Sequence, residues 1–174
     1  PWNHKRVLRI YRELELNLRI KPKKRIIRNR PEALGIATDI NQTWSMDFMS
    51  DSLQNGRHFR TFNVIDDYNR EGLCVDADFS LPTEKVIRAL ERIIEWRGKP
   101  AAIRCDNGPE YISQKLVDWA NFQKITLIYT QPGKPTQNAY IERFNRTVRE
   151  ELLSNYLFET IDDVQIYSTK WLWS

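Results

Sequence analysis

The sequence predicts an α/β domain built around a mixed β-sheet, with a basic helical arm in front of it. Three strand-like segments joined by turn signals come first, and helix-like and strand-like segments alternate after them. That order favours a five-stranded mixed sheet with helices on both faces. A length of 174 residues is enough for one medium domain with a hydrophobic core and an appendage.

Positive charge is concentrated in the arm. Residues 1–30 carry eleven Lys and Arg against two Glu, whereas the remaining residues carry sixteen against twenty-one acids. Apolar residues at helical spacing predict a helix from about Asn3 to Leu18, and residues 19–30 are too polar for a core and are interpreted as a linker. Residues 1–30 are therefore predicted to bind phosphate, and residues 31–174 to form the domain. The alternative is a solvated charged helix that binds nothing.

The first half of the domain is predicted to be an antiparallel meander. Asn55-Gly56 is a hairpin signal between the first two strands, and Asp66 and Asp67 begin the next turn. This acidic pair is interpreted as turn chemistry, together with Asn69 and Arg70. The three strands are predicted over Trp44–Ser50, Phe59–Asp66 and Leu73–Phe79.

Helices and strands alternate in the second half. A helix that begins at about Glu84 ends before Gly98 and Pro100. The next predicted segments are a strand over Ala101–Cys105, a helix over Ser113–Phe122, a strand over Ile125–Thr130, a helix that carries Glu142, and a last helix over Ile161–Trp173.

The helix of Glu142 follows a loop with two prolines and a glycine, which cannot be helical. Its apolar residues fall on one narrow stripe: Ile141, Phe144, Val148 and Leu152. Glu142 points about 100° away from that stripe, and Arg146 and Arg149 are expected close to Glu142.

Three carboxylates are candidates for one site. Asp47 alternates with the apolar residues of the first strand, and Asp106 follows a short buried strand, at the sheet edge where α/β proteins bind ligands. With Glu142 they offer the oxygen ligands that hard divalent cations such as Mg²⁺ prefer. Taken singly, Asp47 is also explained as a solvent-facing strand residue, Asp106 as a turn former, and Glu142 as a helix former paired with Arg146.

The motifs around these carboxylates resemble a known family. Asp47, Asp106 in Arg-Cys-Asp-Asn-Gly-Pro-Glu-Tyr, and Glu142 in Thr-Gln-Asn-Ala-Tyr-Ile-Glu-Arg-Phe-Asn resemble the DDE motif of the retroviral integrase superfamily. Thirty-five residues separate Asp106 from Glu142, a spacing typical of integrases, and Arg149 matches the basic residue usual seven positions beyond. Trp-Ser-Met-Asp-Phe, Val-Ile-Asp-Asp-Tyr-Asn-Arg-Glu and Pro-Gly-Lys-Pro-Thr-Gln-Asn resemble one branch, the bacterial transposases of insertion sequence family 3.

The resemblance implies a ribonuclease-H-like fold and a DNA transposase. Water would attack at the element end, and the 3′-hydroxyl so released would attack target DNA without a covalent protein intermediate. Two Mg²⁺ or Mn²⁺ ions are expected with DNA bound, with Asp47 as the bridging ligand and Asp106 and Glu142 on one metal each. The alternatives are a nuclease of the same fold that only hydrolyses, and an inactive DNA-binding remnant of a truncated element.

The implied partner is DNA, both element ends and target, and the active complex is expected to be a homo-oligomer. The resemblance also implies that the chain begins inside the family's upstream helical region and stops before the end of the core. A bacterial cytoplasmic protein associated with the nucleoid is expected. Candidate DNA contacts are the basic and amide side chains that suit phosphates and base edges, unless they form only a solvated surface: Lys23, Lys24, Arg25, Lys134, Gln137, Asn138, Arg143, Arg146 and Arg149.

Other classes of site are disfavoured by composition. Cys74 and Cys105 lie in apolar segments and are interpreted as buried free thiols, and His4 and His58 lack zinc-ligand spacing. No apolar run approaches the length of a membrane span, so no membrane partner is expected. The tryptophans at positions 96, 119, 171 and 173 are expected in the core or at an interface.

Overall fold

The structure is a computed structural model, and it describes residues 2–16, 35–131 and 138–173. The chain forms two compact units, Pro1–Pro31 and Glu32–Ser174. The candidate DNA contacts Lys23, Lys24, Arg25, Lys134 and Gln137 lie outside the described residues.

The first unit contains helix α1, His4–Glu13. The Asn3 side chain caps it by accepting a hydrogen bond of 3.0 Å from the Lys5 amide. The predicted helix to Leu18 is too long, because the helix ends at Glu13 and Glu15 adopts a left-handed φ of 52°. No residue of α1 is buried, so its apolar stripe of Val7, Leu8 and Tyr11 is exposed.

The second unit holds the predicted α/β domain, and its strands agree with the predicted ones to within two residues at each end. Period-two alternation and the turn signals between strands explain this agreement. The elements are β1 (Thr43–Ser52), β2 (His58–Asp66), β3 (Gly72–Asp78), α2 (Thr83–Arg97), β4 (Ala102–Cys105), α3 (Gln114–Gln123), β5 (Thr126–Tyr129), α4 (Ala139–Val148) and α5 (Ile161–Leu172).

The sheet has five strands in the order β3-β2-β1-β4-β5. The first three strands are antiparallel neighbours, whereas β4 and β5 run parallel to β1. The predicted mixed sheet is therefore confirmed. Because β1 and β4 are parallel neighbours, their side chains of equal register lie on the same face, with Ser45 opposite Arg104.

Each face of the sheet packs against helices. On one face, Trp44 and Met46 of β1 join a core with Leu90 of α2 and Leu116 of α3. On the other face, Met49 of β1 joins a second core with Val148 of α4 and Val164 of α5. Asp47 alternates with Met46 and Phe48 and therefore points to the α4 side.

The Glu142 helix departs from the predicted pattern at its C-terminal end. Helix α4 stops at Val148 and continues as a π-helical turn, Arg149–Leu153. A π turn bonds i to i+5, so it changes the angular spacing of the side chains, and both Leu152 and Leu153 are buried. Leu152 of the predicted stripe is buried in the same core as Val148, and the π turn adds Leu153 to that core.

The acidic pair at the end of β2, Asp66 and Asp67, does more than form a turn. Asp66 and Asp67 are buried, at 0% and 2% exposure. Asp66 accepts hydrogen bonds from the amides of Asn41 and Tyr68, both within 2.9 Å, and Asp67 forms a buried ion pair with Arg104 of β4. Turn chemistry alone therefore does not account for Asp67, since the Arg104 partner is distant in the sequence.

Cys74 and Cys105 are buried free thiols, as predicted. Burial raises the pKa of Cys105 to about 12, with a further increase from the charge of Asp106, so this thiol stays protonated at neutral pH. Among the tryptophans, Trp119 packs against the core of α2 and α3, whereas Trp96 and Trp173 are largely exposed with ring centroids 5.3 Å apart. In the described part of the chain, no helix is long and apolar enough to span a bilayer.

Candidate functional site

Asp47 stands in the middle of the central strand β1, on the sheet face covered by α4. Both of its carboxylate oxygens accept hydrogen bonds. The Phe48 amide donates to Oδ1 at 2.8 Å, and the Asn145 side chain of α4 donates to Oδ2 at 2.8 Å. The carboxylate is thus fixed in orientation before any ligand binds.

The surroundings of the Asp47 carboxyl group disfavour its ionised form. Burial, together with the negative charges of Asp106 and Glu142, raises its pKa from 3.8 to about 6, although the hydrogen bonds from Phe48 and Asn145 oppose the shift. The charges of Asp106 and Glu142 therefore both reach the Asp47 carboxyl group. That the three carboxylates form one metal site stays a prediction.

Asp106 follows β4 directly, at the carboxyl end of the strand. Its Oδ1 accepts a hydrogen bond of 2.8 Å from the Gly108 amide, which fixes the turn. The turn is tied to the rest of the fold by Glu110, which forms an ion pair with Arg60 of β2 and accepts a hydrogen bond from Thr83 of α2 at its carbonyl. Asp106 therefore lies at the carboxyl end of β4, the position that the sequence predicts.

Glu142 lies in the first turn of α4 and is exposed. In the described residues, no ion pair joins Glu142 to Arg146 or Arg149. Arg146 follows Glu142 by four residues in the same helix and therefore lies on the same side of α4. Arg149 instead pairs with Asp51 at 3.3 Å and donates to the Ser50 carbonyl at 3.0 Å, both on β1. The π-helical turn begins at Arg149, and the guanidinium of this residue binds the C-terminal end of β1.

Two asparagines that the sequence analysis did not single out connect these elements. Asn63 of β2 lies opposite Asp47 in the antiparallel pair and is fully buried. Its side chain donates to Asn145 Oδ1 at 2.7 Å, and Asn145 in turn donates to Asp47. Asn145 follows Glu142 by three residues, so helical spacing was a signal for it, whereas Asn63 could be recognised only once the strand register was known.

The donor set fits a divalent cation. Asp47, Asp106 and Glu142 offer hard oxygen ligands, and the negative charge that raises the pKa of Asp47 is charge that Mg²⁺ or Mn²⁺ would neutralise. Within residues 2–16, 35–131 and 138–173, however, no three acidic, His or Cys side chains have the spacing of a formed metal centre. The carboxylates would therefore need to move closer together around an ion.

The remaining predicted contacts are spread along α4. Arg143 and Arg146 are exposed on this helix, and Asn138 is its N-cap residue, with no side-chain capping hydrogen bond. The described candidates thus share one helix with Glu142, and Arg149 lies just beyond it.

The family described as integrase core domain matches residues 37–135, and a second family with the same description matches residues 123–173. The first of these matches covers more than half of the chain.

Relatives of high similarity belong to bacterial insertion elements. A 31.7 kDa protein of insertion element IS407 from Burkholderia multivorans is 40% identical over 97% of this chain. A 39.2 kDa protein of insertion element IS476 from Xanthomonas euvesicatoria is 38% identical, also over 97%. The chain spans 61% and 49% of the lengths of these two relatives.

Solved structures of retroviral proteins share the fold. A chain of the simian T-cell lymphotropic virus intasome superposes with a TM-score of 0.67 at 22% identity, covering 81% of this chain and 50% of that one. The catalytic core domain of HTLV-2 integrase in complex with magnesium gives a TM-score of 0.62 at 22% identity, covering 76% of this chain and 83% of that one. The predicted ribonuclease-H-like fold is confirmed by this likeness.

Proposed function

Because the chain belongs to the integrase core domain family, we propose that it is the catalytic core of a DNA transposase that cleaves phosphodiester bonds and joins DNA strands. The observation that carries the proposal is that Asp47, held by the Phe48 amide and Asn145, is under the negative charge of both Asp106 and Glu142. A carboxyl group whose ionised form is disfavoured by burial and by two like charges is typical of a functional site.

We assign Asp47, Asp106 and Glu142 as the residues that hold divalent metal. Bound Mg²⁺ or Mn²⁺ would supply the positive charge that activates an attacking oxygen and stabilises a leaving oxygen at phosphorus. Asp47, on the central strand, is the proposed shared ligand, with Asp106 and Glu142 on either side. The solved retroviral core with magnesium is consistent with this assignment, at the level of the fold.

The chain's own residues prepare the site by orientation. The Phe48 amide and the Asn145 side chain hold the two oxygens of Asp47, and the Gly108 amide holds Asp106 Oδ1. Carboxylates whose rotation is already restricted lose less conformational freedom when they bind a ligand. Asn145 is therefore proposed as a support for Asp47 that also ties it to the helix of Glu142.

DNA is the proposed substrate. Arg143 and Arg146 are exposed on α4 beside Glu142, where guanidinium groups suit phosphate oxygens. Asn138, Arg149, Lys134 and Gln137 and the arm residues Lys23, Lys24 and Arg25 are proposed as further contacts, although Arg149 would have to give up its Asp51 partner. Joining two element ends to target DNA implies a homo-oligomer acting on the bacterial chromosome, in the cytoplasm.

The proposal is tested with DNA substrates and matched variants. We expect weak nicking of duplex DNA with Mg²⁺ or Mn²⁺, little sequence preference, and none with a chelator. Asp106→Asn keeps the shape of the side chain but removes the charge that holds the metal, so it should abolish nicking. Asp118→Asn, the same change at an exposed carboxylate of α3, is the control and should nick as the wild type does.

A second substrate separates the transposase from the alternatives. An oligonucleotide with a free 3′-hydroxyl end, offered with a plasmid target, should yield joined strands, because the same site would activate that hydroxyl in place of water. Nicking without joining would support a nuclease that only hydrolyses. A folded wild-type protein that nicks no DNA with either metal would support an inactive remnant and refute the proposed activity.

A further inference from the structure

The turn between β2 and β3 contains an arginine in an unfavourable backbone conformation. Arg70 has a φ of 65°, in the left-handed region where side chains with a Cβ are disfavoured. Glycine is the residue that adopts this conformation without steric cost. A strained arginine at an exposed turn therefore suggests that its side chain has a role beyond the turn.

Three hydrogen bonds hold the turn without the Arg70 side chain. The Arg70 amide donates to the Asp66 carbonyl at 3.0 Å, and the Asp66 amide donates to the Glu71 carbonyl at 3.0 Å. Asn69 accepts a hydrogen bond from the Glu71 amide at 3.1 Å. All these bonds would remain with glycine at position 70, because none involves the arginine side chain.

The side chain reaches α4 instead. The guanidinium carbon of Arg70 lies 3.2 Å from the ring centroid of Tyr140, a cation–π contact, and the guanidinium also donates to the Asp67 carbonyl. Tyr140 is half-buried in the first turn of α4, two residues before Glu142. The arginine thus connects the turn to the segment that carries the proposed metal ligand.

A second contact with α4 lies two residues further on, at Gly72, where the turn ends and β3 begins. A Cβ added at Gly72 would come within 2.8 Å of the Phe144 ring, which shows how closely the backbone approaches the helix there. Tyr140 and Phe144 are four residues apart and therefore lie on one face of α4. The turn supports that face at two points, and the Asn138 side chain makes no capping hydrogen bond that would otherwise fix the first turn.

We propose that Arg70 is a positioning residue: its stack on Tyr140 fixes the first turn of α4 and so places Glu142 in the acidic site. The inference rests on the proposed function for the role of Glu142. The contact between Arg70 and Tyr140 does not depend on that function, so it can be tested separately.

The test compares Arg70→Gly with the wild type in the full chain. Arg70→Gly should change the unfolding midpoint in urea only a little, because the relief of the left-handed φ offsets the lost contacts with Asp67 and Tyr140. At the same time, hydrogen exchange at the amides of residues 143–145, which bond back to the first helical turn, should become several-fold faster. Metal-dependent nicking should fall about tenfold or more, since a small displacement of a catalytic group has that effect.

Further variants distinguish stacking from charge. Tyr140→Phe keeps the ring and should keep the wild-type exchange rates, whereas Tyr140→Ala should reproduce the faster exchange of Arg70→Gly. The double variant should be no worse than either single variant, because both remove the same contact. Arg70→Lys keeps the charge and the backbone strain but loses the planar stack, so it should lie between the wild type and Arg70→Gly.

Two outcomes would overturn the inference. One is unchanged exchange at residues 143–145 in both Arg70→Gly and Tyr140→Ala; the other is additive effects of the two changes. A wild-type protein that nicks no DNA would refute the proposed function alone, since the exchange measurements would still decide whether Arg70 fixes α4.

Discussion

At the scale of single residues, Asp47 shows how the fold accepts an unfavourable charge. It is held by the Phe48 amide and Asn145, yet burial and the neighbouring carboxylates raise its pKa to about 6. The folded protein therefore binds a proton at Asp47 more tightly than the unfolded chain does. Without metal, the fold therefore loses stability as the pH rises from 3.8 to about 6.

We predict that Asp47→Asn stabilises the metal-free protein in a pH-dependent manner. The pKa difference between 3.8 and about 6 corresponds to at most about 3 kcal/mol. This penalty is absent below pH 3.8, grows as the pH rises to 6, and is complete above that. The free energy of unfolding, measured with urea and chelator at pH 4 and pH 7.5, should therefore favour the variant more strongly at the higher pH.

The control for this measurement is Asp118→Asn, which changes an exposed carboxylate on α3. Added Mg²⁺ should stabilise the wild type and Asp118→Asn but not Asp47→Asn, because only the first two retain the full ligand set. An Asp47→Asn effect of equal size at both pH values would show that the charge of Asp47 is not the cause.

At the scale of elements, the sequence predicted what depends on local pattern and missed what depends on the arrangement of the sheet. Alternation and turn signals located all five strands, and Asp106 was expected at a strand end. The ion pair between Asp67, after β2, and Arg104, on β4, was not predictable from local pattern. These two residues are far apart in the sequence, and only the strand order, in which β2 and β4 flank β1, brings them together. The end of α4 at Val148 was missed because a π turn leaves no signal in apolar spacing.

We predict that the Asp67–Arg104 pair is costly to break and nearly neutral to replace. Both side chains are almost fully buried, so Arg104→Met alone should destabilise the fold by about 3–5 kcal/mol, because Asp67 loses its ion-pair partner inside the protein. The double variant Arg104→Met with Asp67→Leu should recover most of that loss in urea unfolding, since no charge then stays buried.

The exposed pair of Lys115 and Glu84 is the matched control for that experiment. Lys115→Met should leave the free energy of unfolding nearly unchanged, because solvent screens exposed ion pairs. If Arg104→Met is as mild as Lys115→Met, the buried pair does not connect β2 and β4 energetically.

At the scale of the whole molecule, the charge distribution separates the two units. Residues 1–30 have a large excess of Lys and Arg, whereas the rest of the chain has an excess of acids. An acidic site repels a polyanion such as DNA, so a basic segment that binds the same polyanion independently of its sequence would raise the affinity of the protein for it. Helix α1 buries none of its residues, so its basic side chains remain accessible to a ligand.

We predict that the arm supplies much of the non-specific DNA affinity. Each phosphate contact releases condensed counterions, so the logarithm of the association constant falls with the logarithm of salt concentration by about 0.9 per contact. Replacing Lys23, Lys24 and Arg25 with Gln should flatten that slope by up to about 3 if all three touch phosphates. The slope is measured by fluorescence anisotropy with a labelled duplex at several salt concentrations, in chelator so that no DNA is cut.

The control for the arm removes the same amount of charge from another part of the chain. Arg88 of α2 and Lys99 and Lys124, which follow α2 and α3, belong to the side of the sheet opposite α4, so replacing all three with Gln should leave the slope nearly unchanged. Equal flattening in both triple variants would mean that net charge, rather than the arm, sets the affinity. An unchanged slope in the arm variant would mean that Lys23, Lys24 and Arg25 do not contact phosphate, and the arm would then be a solvated charged segment.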